Sequence, residues 1–275
     1  MEILKTLEVI RRKRKCRLDA EEVWRTIRGA RVRIRDGEIV DGPDALKAWS
    51  KSAPSKKSKI SGKSSMEVSD SIWTNYKIDS SSFQFMDNMN NNPGFVEVVK
   101  STCDGLDAIL DEIPELKGEI NNFQMGGTAV LTTSGDSVFF NRKLLNDPAE
   151  AQKMCDEYSK KGHWHKNSSP ASLMAHEMGH ALEHKLIEKV LNHRRGSQGF
   201  SEALNNSEIA GRIVEKAADE IGGKMPELQR SISLYATKNY SETLAEAMAD
   251  CYANGDNATP FSKAIKKEAL RLLRE

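Results

Sequence analysis

The chain has 275 residues, 38% of them hydrophobic and 29% charged, with a mean hydropathy of −0.58. That length supports one large domain or two small ones with a real core, and no apolar run approaches the roughly 18 residues that would suggest a spanning helix. Net charge is +1 but unevenly spread: residues 1–65 hold 18 Lys and Arg against 9 Asp and Glu, and the remainder holds 23 against 31, which marks two segments with different jobs.

Residues 1–20 read as a strongly basic helix, without the long apolar core of a secretory leader. Next, Val32, Ile34 and Ile39 flank Asp36-Gly37, a hairpin signal, and the alternation places apolar side chains on one face of a small β-ribbon. Residues 1–49 are therefore taken as a basic helix and ribbon, an arm able to contact nucleic acid or an acidic protein surface. Residues 50–70 are dominated by Ser and Lys and read as a flexible linker. The four cysteines, Cys16, Cys103, Cys155 and Cys251, form no CxxC pair and read as free thiols in a reducing compartment.

Residues 71–275 then form the main domain. Met86 to Asn92 is an Asn-rich loop, and Phe95 to Leu110 has helical spacing. Strands are expected at 118–124, 128–133 and 138–140, and a helix from Pro148 to Lys161. Ser169-Pro170 supplies an N-cap followed by proline at the first helical position, starting a helix that runs to about Asn192. Further helices are expected near 203–221, 241–253 and 260–274. Strands first and helices afterwards predict an α+β domain, with a small sheet beside the helix begun at Ser169 and a helical C-terminal part.

That helix carries His176-Glu177-Met178-Gly179-His180. Two histidines four residues apart lie one above the other on a helix and can reach one tetrahedral ion. Glu177 projects beside them, placed to hold a water without ligating the metal. Gly179 removes a side chain where the helix must approach a neighbour, while Leu173, Met174 and Leu182 can anchor the other side. Zinc with an open position needs a third protein ligand. The pattern HExxHxxGxxH is excluded, because Glu183 and Leu186 stand where Gly and His are required. Glu242, Glu246 and Asp250 recur at i, i+4 and i+8 after Tyr235; one of them can ligate and the next can fix an imidazole tautomer. His184 reads as a surface histidine, His163 and His165 as residues that can line the cleft, and the strand after Gly126-Gly127 as an edge that can pair with a peptide.

These motifs resemble the lethal-factor-like branch of the zincins and the peptidase domains of phage and prophage head-associated proteins. His176 to Leu182 and Tyr235 followed by Glu242-Thr-Leu-Ala245-Glu246-Ala247 carry the resemblance, which covers roughly residues 95–275. It implies a gluzincin-type zinc endopeptidase: His176, His180 and Glu242 as ligands of Zn2+, Glu246 as hydrogen-bond partner of a ligating histidine, Glu177 as general base and Tyr235 as oxyanion donor. A competing register remains open, because Glu246 and Asp250 also fit the ExxxD spacing of thermolysin-like gluzincins. Gly162-His163-Trp164-His165 is similar to a segment of the phage domains. Thr26-Ile27-Arg28-Gly29, Val32-Arg33-Ile34, Gly37-Glu38-Ile39 and Gly42-Pro43 resemble a tailed-phage layout. The implied partners are a protein or peptide substrate and phage structural proteins, with no membrane, and the implied setting is the bacterial cytoplasm or a virion. A catalytically silent zinc-binding head protein and a peptidase toxin acting on a host protein are the alternatives.

Overall fold

The computed structural model describes residues 23–27, 30–35, 38–41, 59–83, 93–141 and 143–275. The chain divides into two compact units, residues 1–55 and 56–275. The basic helix expected at 1–20, the Asn-rich loop at 86–92 and the start of the expected linker lie outside the described residues. In the first unit, β1 (Val23–Ile27), β2 (Ala30–Arg35) and β3 (Glu38–Asp41) form an antiparallel sheet in that order. Arg35 pairs with Glu38 on either side of residues 36 and 37.

The second unit corrects the linker expected at 50–70. Ile60 is buried, and α1 (Ser65–Tyr76) begins inside that segment. Its start is a capping box: the Ser64 hydroxyl accepts from the Glu67 N–H, and Glu67 Oε2 accepts from the Ser64 N–H. Such reciprocal pairing satisfies two otherwise orphaned donors. Val68 and Ile72, one turn apart, are buried, so two apolar residues at helical spacing outweigh a Ser/Lys-rich composition.

Chain order continues through α2 (Pro93–Glu112), β4 (Asn122–Met125), β5 (Leu131–Ser134), β6 (Ser137–Phe140) and α3 (Pro148–Lys160). The strand order is β4-β6-β5, with β4 parallel and β5 antiparallel to β6. β5 is therefore an edge strand. Phe83, Phe95, Phe123 and Phe140 form an aromatic cluster with ring centroids 5.2–6.5 Å apart, fixing the sheet to α2.

The rest is helical: α4 (Pro170–Val190), α5 (Gln198–Asn205), α6 (Glu208–Ile221), α7 (Met225–Ile232), α8 (Tyr240–Asn254) and α9 (Pro260–Arg274). The single helix expected at 203–221 is broken at Asn206-Ser207, where Ser207 takes a left-handed conformation with φ 49°. α4 is buried along almost its whole length and packs between α2 and α8. Both contacts are close. A Cβ on Gly105 of α2 would collide with the Ala171 carbonyl of α4, and one on Gly179 of α4 would lie 2.6 Å from Ala245 Cα of α8. The second unit is thus an α+β domain, mostly helical with one small sheet. No helix among the described residues is long and apolar enough to cross a membrane.

Candidate metal centre

Local sequence sets the two helices that make the site. α4 starts at Ser169, whose hydroxyl accepts from the Ser172 N–H, with Pro170 in the first turn. α8 starts at Asn239, whose side chain accepts from the Glu242 N–H at 2.8 Å. That cap places Glu242 in the first turn, where the helix dipole favours a carboxylate. The glycine–alanine contact then lets α4 and α8 approach until their side chains meet.

Glu242 Oε2 lies 3.2 Å from His176 Nε2 and 3.5 Å from His180 Nε2. Two ligand atoms each 2.0–2.1 Å from a tetrahedral ion lie about 3.3 Å apart, so these spacings match a zinc-type set. Glu242 Oε2 is also buried, and only the two imidazole nitrogens face it, without good hydrogen-bond geometry, an arrangement that a shared cation would satisfy. The residues present therefore fit a divalent metal of the zinc type.

Behind this triad, Glu246 Oε1 sits 3.0 Å from His176 Nδ1. An Nδ1–H donating to this carboxylate makes Nε2 the ring atom that faces Glu242, the one a metal would take in exchange for its proton. Glu246 lies on the far ring nitrogen and so is not beside the Nε2 pair. Its other oxygen accepts from the His165 N–H at 3.1 Å and lies 3.4 Å from that ring's Nδ1, while His165 Nε2 is 3.0 Å from Ser172 Oγ. Asp250, the third member of the acidic stripe, instead accepts from the Thr259 N–H at 2.9 Å and from Asn254 at 2.7 Å, holding the start of α9. Of the two carboxylate registers, the one that reaches both Nε2 atoms is Glu242.

Charge coupling in this cluster is strong. Burial works against the charged form of His176, but Glu242 and Glu246 outweigh it and push the imidazole up to about 10. Burial likewise opposes ionisation of both carboxylates, yet the facing imidazoles hold Glu242 and Glu246 far below the usual carboxylate range. Tyr235 is shifted the other way: burial and the nearby Glu242 charge raise its phenol, so it stays a hydrogen-bond donor at neutral pH.

Glu177 projects from α4 towards β5, and the Thr133 N–H donates to its Oε2 at 2.6 Å. Glu177, His176, Tyr235, Trp164, Leu173 and Leu131 line a cleft of about 250 Å³ bordered by residues 128–131, with Tyr158 and Leu144 at its exposed rim. Tyr235 closes one side, its ring centroid 5.9 Å from that of His176 and 5.5 Å from that of His163. His163 lines the cleft, whereas His165 is fully buried behind Glu246.

His184 corrects the reading of a surface histidine. It is buried, edge-on to Phe200 with centroids 5.6 Å apart. α5 folds back over that face of α4, a tertiary contact that helical spacing alone does not reveal. Sequence reasoning also passed over Thr133, which acts through its backbone and leaves no side-chain signal. Lys238 was passed over too: it lies before the Asn239 cap of α8, where the turn rather than a helical spacing brings it to Glu242. The chain matches no family model, no curated protein and no solved structure.

Proposed function

We propose that the chain is a zinc-dependent endopeptidase of the zincin type, with His176, His180 and Glu242 holding the metal. The observation that carries this reading is the convergence of two Nε2 atoms from one helix and a buried carboxylate oxygen from another, all within 4.8 Å of one another. Zinc bound there supplies a Lewis acid that makes water a nucleophile near neutral pH and polarises a peptide carbonyl.

The chain's own residues supply the rest. Glu177 borders the cleft beside the ligand histidines, placed to take a proton from water and return it to the leaving amine. The Thr133 N–H holds one Glu177 oxygen and so limits rotation of the carboxylate. Tyr235 offers its hydroxyl proton to the oxyanion that develops at the scissile carbonyl. Glu246, itself held by His165, fixes His176 in the tautomer that leaves Nε2 free. The edge strand β5 and the apolar cleft wall suit an extended peptide with an apolar side chain next to the cleaved bond. This reading carries with it the resemblance to phage and prophage head-associated peptidases.

The test is Glu177→Gln. This variant is expected to retain one zinc per chain and to lose turnover of an unstructured protein such as casein, or of its own chain, by at least roughly 100-fold. Retained turnover would falsify the role of Glu177. Stoichiometric zinc with no cleavage by the unaltered chain would move the reading to a zinc-binding structural protein.

A further inference from the structure

We infer that Lys238 is a positioning residue of this centre: one ammonium group holds the second oxygen of Glu242 and the hydroxyl of Tyr235, committing each to a single task. The inference rests on the zinc reading above and adds to it a residue outside the motifs that support that reading. Lys238 Nζ donates to Glu242 Oε1 at 2.8 Å and to the Tyr235 hydroxyl oxygen at 3.3 Å. It also stands 4.9 Å from the Tyr235 ring centroid.

The two oxygens of Glu242 are thereby divided. Oε2 faces the histidine pair and Oε1 is engaged by the ammonium. A carboxylate free to rotate can present both oxygens to a metal, adding a ligand where catalysis needs an open position. With Oε1 held, Glu242 offers one oxygen only. The same ammonium orients Tyr235. An ammonium has three donors and no acceptor, so the tyrosine oxygen must accept from it. The phenolic hydrogen then points away from Lys238, towards the Glu242 carboxylate that faces it or an oxyanion in the cleft.

Backbone geometry makes this double contact possible. Tyr235–Thr237 is a short 3-10 turn, the Lys238 N–H closes it on the Tyr235 carbonyl, and Asn239 caps α8. Lys238 thus lies where the turn meets the helix, three residues after Tyr235 and four before Glu242. Its side chain is about half exposed, and exposed ion pairs contribute little to folding stability. A merely structural role would therefore leave the metal's coordination unchanged.

The experiment replaces zinc by cobalt. The metal-free full-length chain is titrated with Co2+, whose visible absorption is strong in four-coordinate sites and weak at higher coordination. Unaltered chain and Lys238→Arg are expected to give the strong spectrum. Lys238→Met is expected to bind one Co2+ with loss of that intensity, and with zinc to show kcat reduced roughly 10-fold at nearly unchanged KM. A Lys238→Met spectrum identical to that of the unaltered chain would overturn the role of Lys238 while leaving the metal centre in place. Undiminished Co2+ uptake by Glu242→Gln, with an unchanged spectrum, would overturn the centre itself and the inference with it. Lys238→Gln repeats the measurement should the Met variant misfold.

Discussion

A carboxylate that touches both Nε2 atoms and one that touches a single Nδ1 atom differ in what their removal costs. Glu242→Ala deletes a proposed ligand and leaves two histidines, so zinc retention after dialysis is expected to be nearly abolished. Glu246→Ala leaves all three proposed ligands but frees the His176 ring, and loss of such a partner weakens metal binding roughly 10–100-fold. Competition with a chelating dye separates the two; equal losses would mean that the carboxylates share the metal. Gly179 makes a further prediction at this scale. Its added methyl in Gly179→Ala would meet Ala245 Cα at 2.6 Å, and backbone gives way less readily than a side chain. The two helices must separate, at a cost of about 1–3 kcal/mol, and zinc affinity should fall together with the urea midpoint. An unchanged midpoint would mean that α4 and α8 do not pack so closely in solution.

At the scale of elements, α4 carries a second histidine of a different kind. His184 Nδ1 makes no hydrogen bond, and burial together with the nearby Arg195 charge lowers its pKa to about 4. The unfolded chain binds that proton near 6.5, so this neutral imidazole stabilises the fold fully above that pH. The contribution is lost as pH falls from about 6.5 towards 4, by about 2 kcal/mol at pH 5. Glu183 works oppositely: burial raises it to about 6, so its charged form is a burden that lifts as pH falls through the same range. Comparing urea unfolding of the unaltered chain and His184→Leu at pH 7.5 and pH 5 isolates the histidine, because Glu183 is common to both. The unaltered chain should lose more stability over that interval; equal losses would show that His184 does not titrate in this range. What was legible in the sequence follows from the same physics. The Ser169-Pro170 start, the one-turn histidine spacing and the Glu242 stripe are local, and the structure keeps them local. The burial of His184 under α5, the break at Ser207 and the place of His165 behind Glu246 depend on contacts between distant segments. The start of α1 was local as well, since Ser64 and Glu67 spell a capping box, but the surrounding serines and lysines masked it.

At the scale of the whole molecule, the two units differ in both charge and content. Residues 1–55 hold 14 Lys and Arg against 9 Asp and Glu, and residues 56–275 hold 27 against 31. The buried apolar core of the second unit runs from Ile60 to Leu273, and all three proposed ligands, the proposed base and the cleft fall within the same stretch. A chain truncated to residues 56–275 therefore keeps that core and every proposed site residue. It is expected to unfold cooperatively and to bind one zinc with the affinity of the full chain. Contact with nucleic acid, if the basic arm makes it, rests on phosphate neutralisation and falls steeply with salt. The full chain should then be retained on duplex DNA at low ionic strength and released as salt rises, while the truncated chain, with a net negative charge, should pass through at every salt concentration. Equal retention of both chains would remove the arm from any such role without touching the metal centre. Loss of zinc on truncation would mean instead that residues 1–55 are needed for metal binding.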